Sequence, residues 1–174
     1  RRQEALPLPA VPVAAAFEDV ARSLPDCPVN LEKTCPEDAA VRADRVLLAD
    51  LLRNLVLNAA HASAPGSTVT LRCLPAEDRW RLEVADTGCG IPAEHLPNVK
   101  KKFYKANQLV RGSGIGLAVA DEIVRLHGGA LDIQSQEDVG TTVTISLPTC
   151  SHLEADPQLT ETPELLKFIQ ERNL

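Results

Sequence analysis

The sequence predicts an α+β fold, a two-layer α/β sandwich in which helices pack on one face of a mixed, mostly antiparallel sheet. Three observations predict it. A leucine stripe at helical spacing runs through 45–62, alternating segments form two hairpin pairs within 68–85 and 131–147, and a second helical run closed by Gly128 and Gly129 lies between the pairs. With 174 residues, the chain suits one core that buries roughly two-thirds of its unfolded surface.

Pro7, Pro9 and Pro12 block helix continuation, so residues 1–12 read as an extended linker. From Ala14 to Leu24, Phe17, Val20, Ala21 and Leu24 recur at helical spacing, and Pro25 stops the run. Val29–Leu31 and Val41–Ala43 are short extended segments. A long helix is predicted over Arg45–Ala62, where Leu47, Leu48, Leu51, Leu52, Leu55 and Val56 fall at i, i+3, i+4 spacing before Ala64-Pro65-Gly66 ends it. Thr68–Leu74 and Arg79–Ala85 alternate, with Val69, Leu71 and Cys73 answering Trp80, Leu82 and Val84 across a turn at Pro75–Asp78. A further helix is predicted over Gly116–His127, then a hairpin of Leu131–Ser135 and Thr141–Leu147. One domain, 13–148, contains all of these. Residues 149–174 form a polar tail in which Thr162-Pro163-Glu164 starts a short helix carrying Leu165, Leu166, Phe168 and Ile169.

The net charge of −6 and pI near 5.2 argue against nucleic-acid binding, which draws its affinity from clustered Lys and Arg. Five cysteines, at 27, 35, 73, 89 and 150, are an odd number with no Cys-x-x-Cys spacing, which suits a reducing cytoplasm. The sequence has no run of eighteen apolar residues, no leader and no methionine, so it reads as a fragment of a longer protein.

Three segments carry chemistry. Asp50, Asn54, Asn58 and His61 share one face of the long helix, read here as the face opposite the leucine stripe; an amide oxygen there is a hard ligand suited to Mg²⁺. Asp86-Thr87-Gly88-Cys89-Gly90-Ile91-Pro92 follows a strand, and its glycines let backbone approach a flat ligand. Gly112-Ser113-Gly114-Ile115-Gly116-Leu117 opens a helix whose free amides and dipole favour phosphate. It is neither a Walker loop, which needs Gly-Lys-Ser/Thr, nor a Rossmann turn, which needs a preceding strand.

In this order the three segments resemble the ATP-binding catalytic (HATPase) domain of bacterial two-component sensor histidine kinases. These belong to the GHKL superfamily, with gyrase B, MutL and the heat-shock chaperone that shares the ATP fold. The resemblance runs from about Ala10 to Pro148 and implies the Bergerat ATP-binding fold, with ATP and Mg²⁺ as cofactors. It also implies transfer of the γ-phosphate to a histidine on the protein's own dimerisation domain, outside this chain, and then signalling to a response regulator. The chain would be a monomeric cytoplasmic domain of a homodimeric parent that could be a membrane-bound sensor.

Residue by residue, the resemblance makes Asn58 the magnesium ligand and Asp86 the acceptor for the adenine amino group, with Gly88, Gly90 and Ile91 completing that box. Thr141, in Gly140-Thr141-Thr142, would support Asp86 and the adenine through water. Phe103, Tyr104 and Lys105 match the phenylalanine box, Lys105 reaching the γ-phosphate, and Ala106–Arg111 would be a short ATP lid before the Gly112–Leu117 box. Asn54 stands where the superfamily's ATPases carry a water-activating glutamate. An amide accepts no proton at neutral pH, so the site should keep ATP for an incoming nucleophile rather than hydrolyse it.

Asn58-Ala59-Ala60-His61-Ala62 departs from the usual Asn-Ala-x-Lys-Tyr. His61 should donate to phosphate, giving an affinity that falls as pH rises through the imidazole range, and Ala62 removes a contact. His95, His127 and His152 are not read as phosphoacceptors; His127 is read as a basic side chain suited to a helix C-terminus. The rival readings are a slow ATPase of the gyrase or MutL type and a degenerate nucleotide-binding scaffold that regulates by docking.

Overall fold

The structure, a computed structural model, describes residues 8–98 and 114–148. In chain order it contains β1 (Ala10–Pro12), α1 (Val13–Ser23), β2 (Asn30–Thr34), β3 (Ala40–Arg42), α2 (Arg45–Ala62), β4 (Thr68–Ala76) and β5 (Arg79–Asp86), then α3 (Gly114–Leu126), β6 (Ala130–Gln136) and β7 (Gly140–Pro148). A 3-10 turn at Leu96–Asn98 follows β5.

Each helix follows from its sequence. The first turn of α2 is capped by Asp44, whose Oδ1 accepts from the Leu47 N–H at 2.9 Å. Its leucine stripe is buried throughout, and each such side chain contributes about 1.5–3 kcal/mol of hydrophobic stabilisation. At the end of α3, Gly128 adopts φ 78. Its N–H donates to Arg125 O and the Gly129 N–H donates to Val124 O, the paired bonds of a Schellman motif.

The main sheet has the order β2-β4-β5-β7-β6, with β2 parallel to β4 and every other pairing antiparallel. Val69, Leu71 and Cys73 of β4, Leu82 and Val84 of β5, and Val143, Ile145 and Leu147 of β7 are buried in one core with the helices. α2 packs on β4 and β5, α3 on β6, and α1 and α3 flank α2. The predicted two-layer architecture is therefore observed.

Three details differ from the sequence reading. β1 pairs with β3 in a separate two-stranded sheet that includes Pro12 at its end, where the missing N–H breaks no interior ladder. In the first hairpin Pro75 pairs with Trp80, leaving only Glu77 and Asp78 as the turn. α3 begins at Gly114, inside the glycine box, two residues before the predicted start. The tail helix predicted after Thr162, and the lid at Ala106–Arg111, lie outside the described residues.

Candidate functional site

A cavity lies between α2 and the sheet. From α2 come Leu55, Asn58, Ala59 and Ala62, an i, i+3, i+4, i+7 face. The sheet supplies Val84 and Asp86 from β5, Ile133 from β6, and Thr141 and Val143 from β7. Gly90 and Ile91 of the loop after β5, with Leu117 of α3, complete it. A mostly apolar slot with a few convergent polar groups is the form of a small-molecule site.

Asp86 is the last residue of β5, paired in register with Thr141. Its Oδ1 accepts from the Gly88 N–H at 2.8 Å and the Thr141 N–H at 3.3 Å. Oδ2 has no partner among the described residues. Burial pushes the carboxyl above the ordinary aspartate range, opposed by those two backbone donors. The result is a half-buried acceptor whose free oxygen is available to a ligand's donor.

The two glycines of this loop are required by close approach. A Cβ on Gly88 would sit 2.2 Å from the carbonyl oxygen of Ala62, the same oxygen that accepts the Cys89 N–H at 2.9 Å. Gly90 has φ 70, and a Cβ there would meet Gln136 O at 2.1 Å. The loop is thus clamped between the end of α2 and the β6–β7 turn, where the Asp138 N–H donates to Cys89 O at 2.6 Å. Ala62 takes part through its backbone, a role that its side chain did not announce.

Ser135 of β6 joins this loop to β7. Its Oγ accepts the Ile91 N–H at 2.7 Å, lies 2.7 Å from Thr141 Oγ1 and 3.1 Å from Gly140 O. The sequence reading missed it, although a signal exists: Leu131, Ile133 and Ser135 alternate onto one face, and a hydroxyl at an inward position needs a partner.

On the helix side, Asn58 has its Nδ2 buried with no hydrogen-bond partner. This corrects the expected polar face opposite the leucines. At about 100° per residue Asn58 lies only about 60° from Leu55 and 40° from Ala62, so it borders the apolar stripe. Asn54, half-buried one turn earlier, and His61, exposed one turn later, are not among the cavity-lining residues. Gly114, Ile115 and Gly116 form the first turn of α3, close in sequence to the lining Leu117. Phe103, Tyr104, Lys105, Gly112 and Ser113 lie outside the described residues. Among the described residues no three His, Cys, Asp or Glu side chains are grouped to hold a metal.

His127 is also corrected. It is 3 % exposed, and burial pushes its pKa below the ordinary histidine value. Its Nδ1–H donates to Ile123 O at 2.8 Å and Nε2 accepts the Asp44 N–H at 3.2 Å. It is therefore a neutral tie between the end of α3 and the start of α2, rather than a cation at a helix terminus. His95 sits half-buried in the loop before the 3-10 turn, and His152 lies outside the described residues.

A family model of histidine kinase-, DNA gyrase B-, and HSP90-like ATPases matches residues 43–151. The sensor protein IrlS of Burkholderia pseudomallei is 37% identical over 114 residues, 63% of this chain and 25% of its own length. The circadian input-output histidine kinase CikA of Synechococcus elongatus is 37% identical over 117 residues, 65% of this chain and 16% of its own. The chain thus spans a quarter or less of these curated relatives. Among solved structures, the mycobacterial sensor histidine kinase MprB aligns with TM-score 0.72 at 28% identity, covering 82% of this chain and 97% of that one. The catalytic domain of histidine kinase ThkA aligns with TM-score 0.69 at 21% identity over 84% of this chain and 97% of that one, a likeness of fold.

Proposed function

The chain belongs to the family of histidine kinase-, DNA gyrase B-, and HSP90-like ATPases, and from that premise we propose that it is the Mg·ATP-binding catalytic domain of a sensor histidine kinase. It delivers the γ-phosphate of ATP to a histidine on the parent's dimerisation domain, which passes it to a response regulator. The observation that carries this is the cavity with Asp86 on one wall and Asn58 on the other. Asp86, held through Oδ1, keeps Oδ2 for the amino group of adenine. The apolar side chains of Val84, Ile91 and Val143 suit the faces of the ring.

Magnesium fits the donor set. Asn58 is an amide whose Nδ2 lacks a protein partner, so its Oδ1 would hold the ion and its Nδ2 would meet a triphosphate oxygen. Mg²⁺ keeps several waters and shares phosphate oxygens, so it requires no cage of carboxylates. When bound, it neutralises charge on the β- and γ-phosphates. The unpaired amides and dipole of a helix N-terminus favour phosphate, which suits the start of α3, and the family pattern assigns Lys105 to the γ-phosphate.

Asn54 favours kinase over ATPase. With an amide where a general base would stand, water is not activated, whereas a neutral imidazole is already nucleophilic. Restoring the parent's dimerisation helices and supplying Mg·ATP should yield phosphohistidine on those helices with little free phosphate. Steady phosphate release without phosphohistidine would make the chain a slow ATPase instead.

A further inference from the structure

The hydroxyl of Ser135 accepts the Ile91 N–H at 2.7 Å and lies 3.1 Å from Gly140 O and 2.7 Å from Thr141 Oγ1. One hydroxyl offers one proton and two lone pairs. Only one assignment satisfies all three contacts: the Ser135 proton goes to Gly140 O, and its lone pairs receive the Ile91 N–H and the Thr141 O–H. Thr141, which lines the cavity, then spends its proton on Ser135, which does not line it, and has only lone pairs left to offer a ligand. Asp86, whose pairing with Thr141 sets it on the same wall, is acceptor-only when ionised.

We infer that Ser135 is a specificity-determining positioning residue. By fixing the polarity of the Thr141 hydroxyl, it makes this wall accept hydrogen bonds only and so selects a purine with a 6-amino group over one with a 6-oxo group. The inference rests on the adenine-binding reading of the cavity. It assigns Ser135 a role that Asp86 alone does not fill: a hydroxyl left free to rotate would donate to a 6-oxo oxygen and blunt discrimination. A site whose buried polar groups are committed in direction rejects the wrong partner because those groups are left facing a like group.

The test is calorimetric titration of ADP and of inosine diphosphate, each with Mg²⁺, into the whole chain as wild type, Ser135→Ala and Ser135→Thr. Wild type should prefer ADP. Ser135→Ala should lower the ratio of the two affinities about fivefold, the effect of one redirected hydrogen bond. Ser135→Thr, which keeps the hydroxyl, should restore it. A purely structural role would weaken both nucleotides alike and leave the ratio unchanged. If Ser135→Ala does not fold, Ser135→Cys keeps the volume with a much weaker donor and acceptor, and is read in the same way. An unchanged ratio in a chain that prefers ADP would overturn the role of Ser135 and leave the adenine reading standing. Absence of any preference in wild type would overturn both.

Discussion

On the sheet side of the cavity Asp86 Oδ1 takes hydrogen bonds from two backbone amides, Gly88 is wedged on the carbonyl of Ala62, and Ser135 ties Ile91 to the start of β7. On the helix side Asn58 stands with its Nδ2 buried and unpartnered, and His61 is exposed. The difference suits the proposed ligand, whose base would lie on the sheet wall and whose metal-bound phosphates would lie on the helix side. A flat base is recognised by fixed directional groups that a sheet and a clamped loop can preset. A hydrated metal and a flexible triphosphate bring their own ligands, so the protein need only leave polar atoms waiting for them. Under the proposed function the sheet wall is complete without ligand, and the helix side would be completed by it.

The largest effect that would break this contrast is at the loop. Gly88→Ala puts a Cβ 2.2 Å from Ala62 O, so the loop must leave α2. We expect about 3 kcal/mol or more of lost stability in denaturant melts, together with loss of nucleotide binding. A variant that melts and binds like wild type would show the clamp to be dispensable.

Next is Asp86→Asn, which swaps the free acceptor oxygen for an amide. ATP affinity should fall about tenfold to a hundredfold, while the melting temperature holds or rises, because burial already disfavours the charge. Loss of stability in step with affinity would mean that Asp86 serves the fold first.

Asn58→Ala sharpens the other side. Removing an amide whose Nδ2 bonds to nothing should change stability by no more than about 0.5 kcal/mol, yet it should remove the magnesium dependence of ATP binding. Melts of the ligand-free variant and titrations with and without Mg²⁺ check both halves.

The smallest effect is at His127, which joins the two helices that frame the site. Its folded pKa is depressed, so below the ordinary histidine value the unfolded chain binds the extra proton more readily. The tie therefore contributes fully above that value and is lost as pH falls toward the folded pKa. Thermal melts from neutral to mildly acidic pH should show a decline in wild type that His127→Gln flattens; parallel curves would refute it.

Much of this arrangement was legible in the sequence, unevenly and for physical reasons. The ends of α2 were readable because the leucine stripe and Ala64-Pro65-Gly66 are local signals, and both hairpins because alternation is local. The β1–β3 pair and the parallel partner of β2 were not, since pairings across the chain leave no periodic trace in three- and five-residue strands. Asp86 and Thr141 were found as motif residues, and the structure brings them into register. Ser135 was passed over because serine in a strand is ordinary until its inward position is counted. His127 was misjudged because a helix end suggests exposure, whereas this one is buried against the start of α2. Asn58 was placed on the wrong face because its polar character outweighed its angle, which sets it beside Leu55 and Ala62.

The measurement that bears most directly on the site is calorimetric titration of ATP into the whole chain with and without Mg²⁺, repeated for Asp86→Asn and Asn58→Ala. Binding that Mg²⁺ strengthens, that Asp86→Asn loses under both conditions and that Asn58→Ala retains only in its metal-independent part, is the predicted result. No binding at millimolar nucleotide, or binding indifferent to both substitutions, would contradict an ATP site in this cavity.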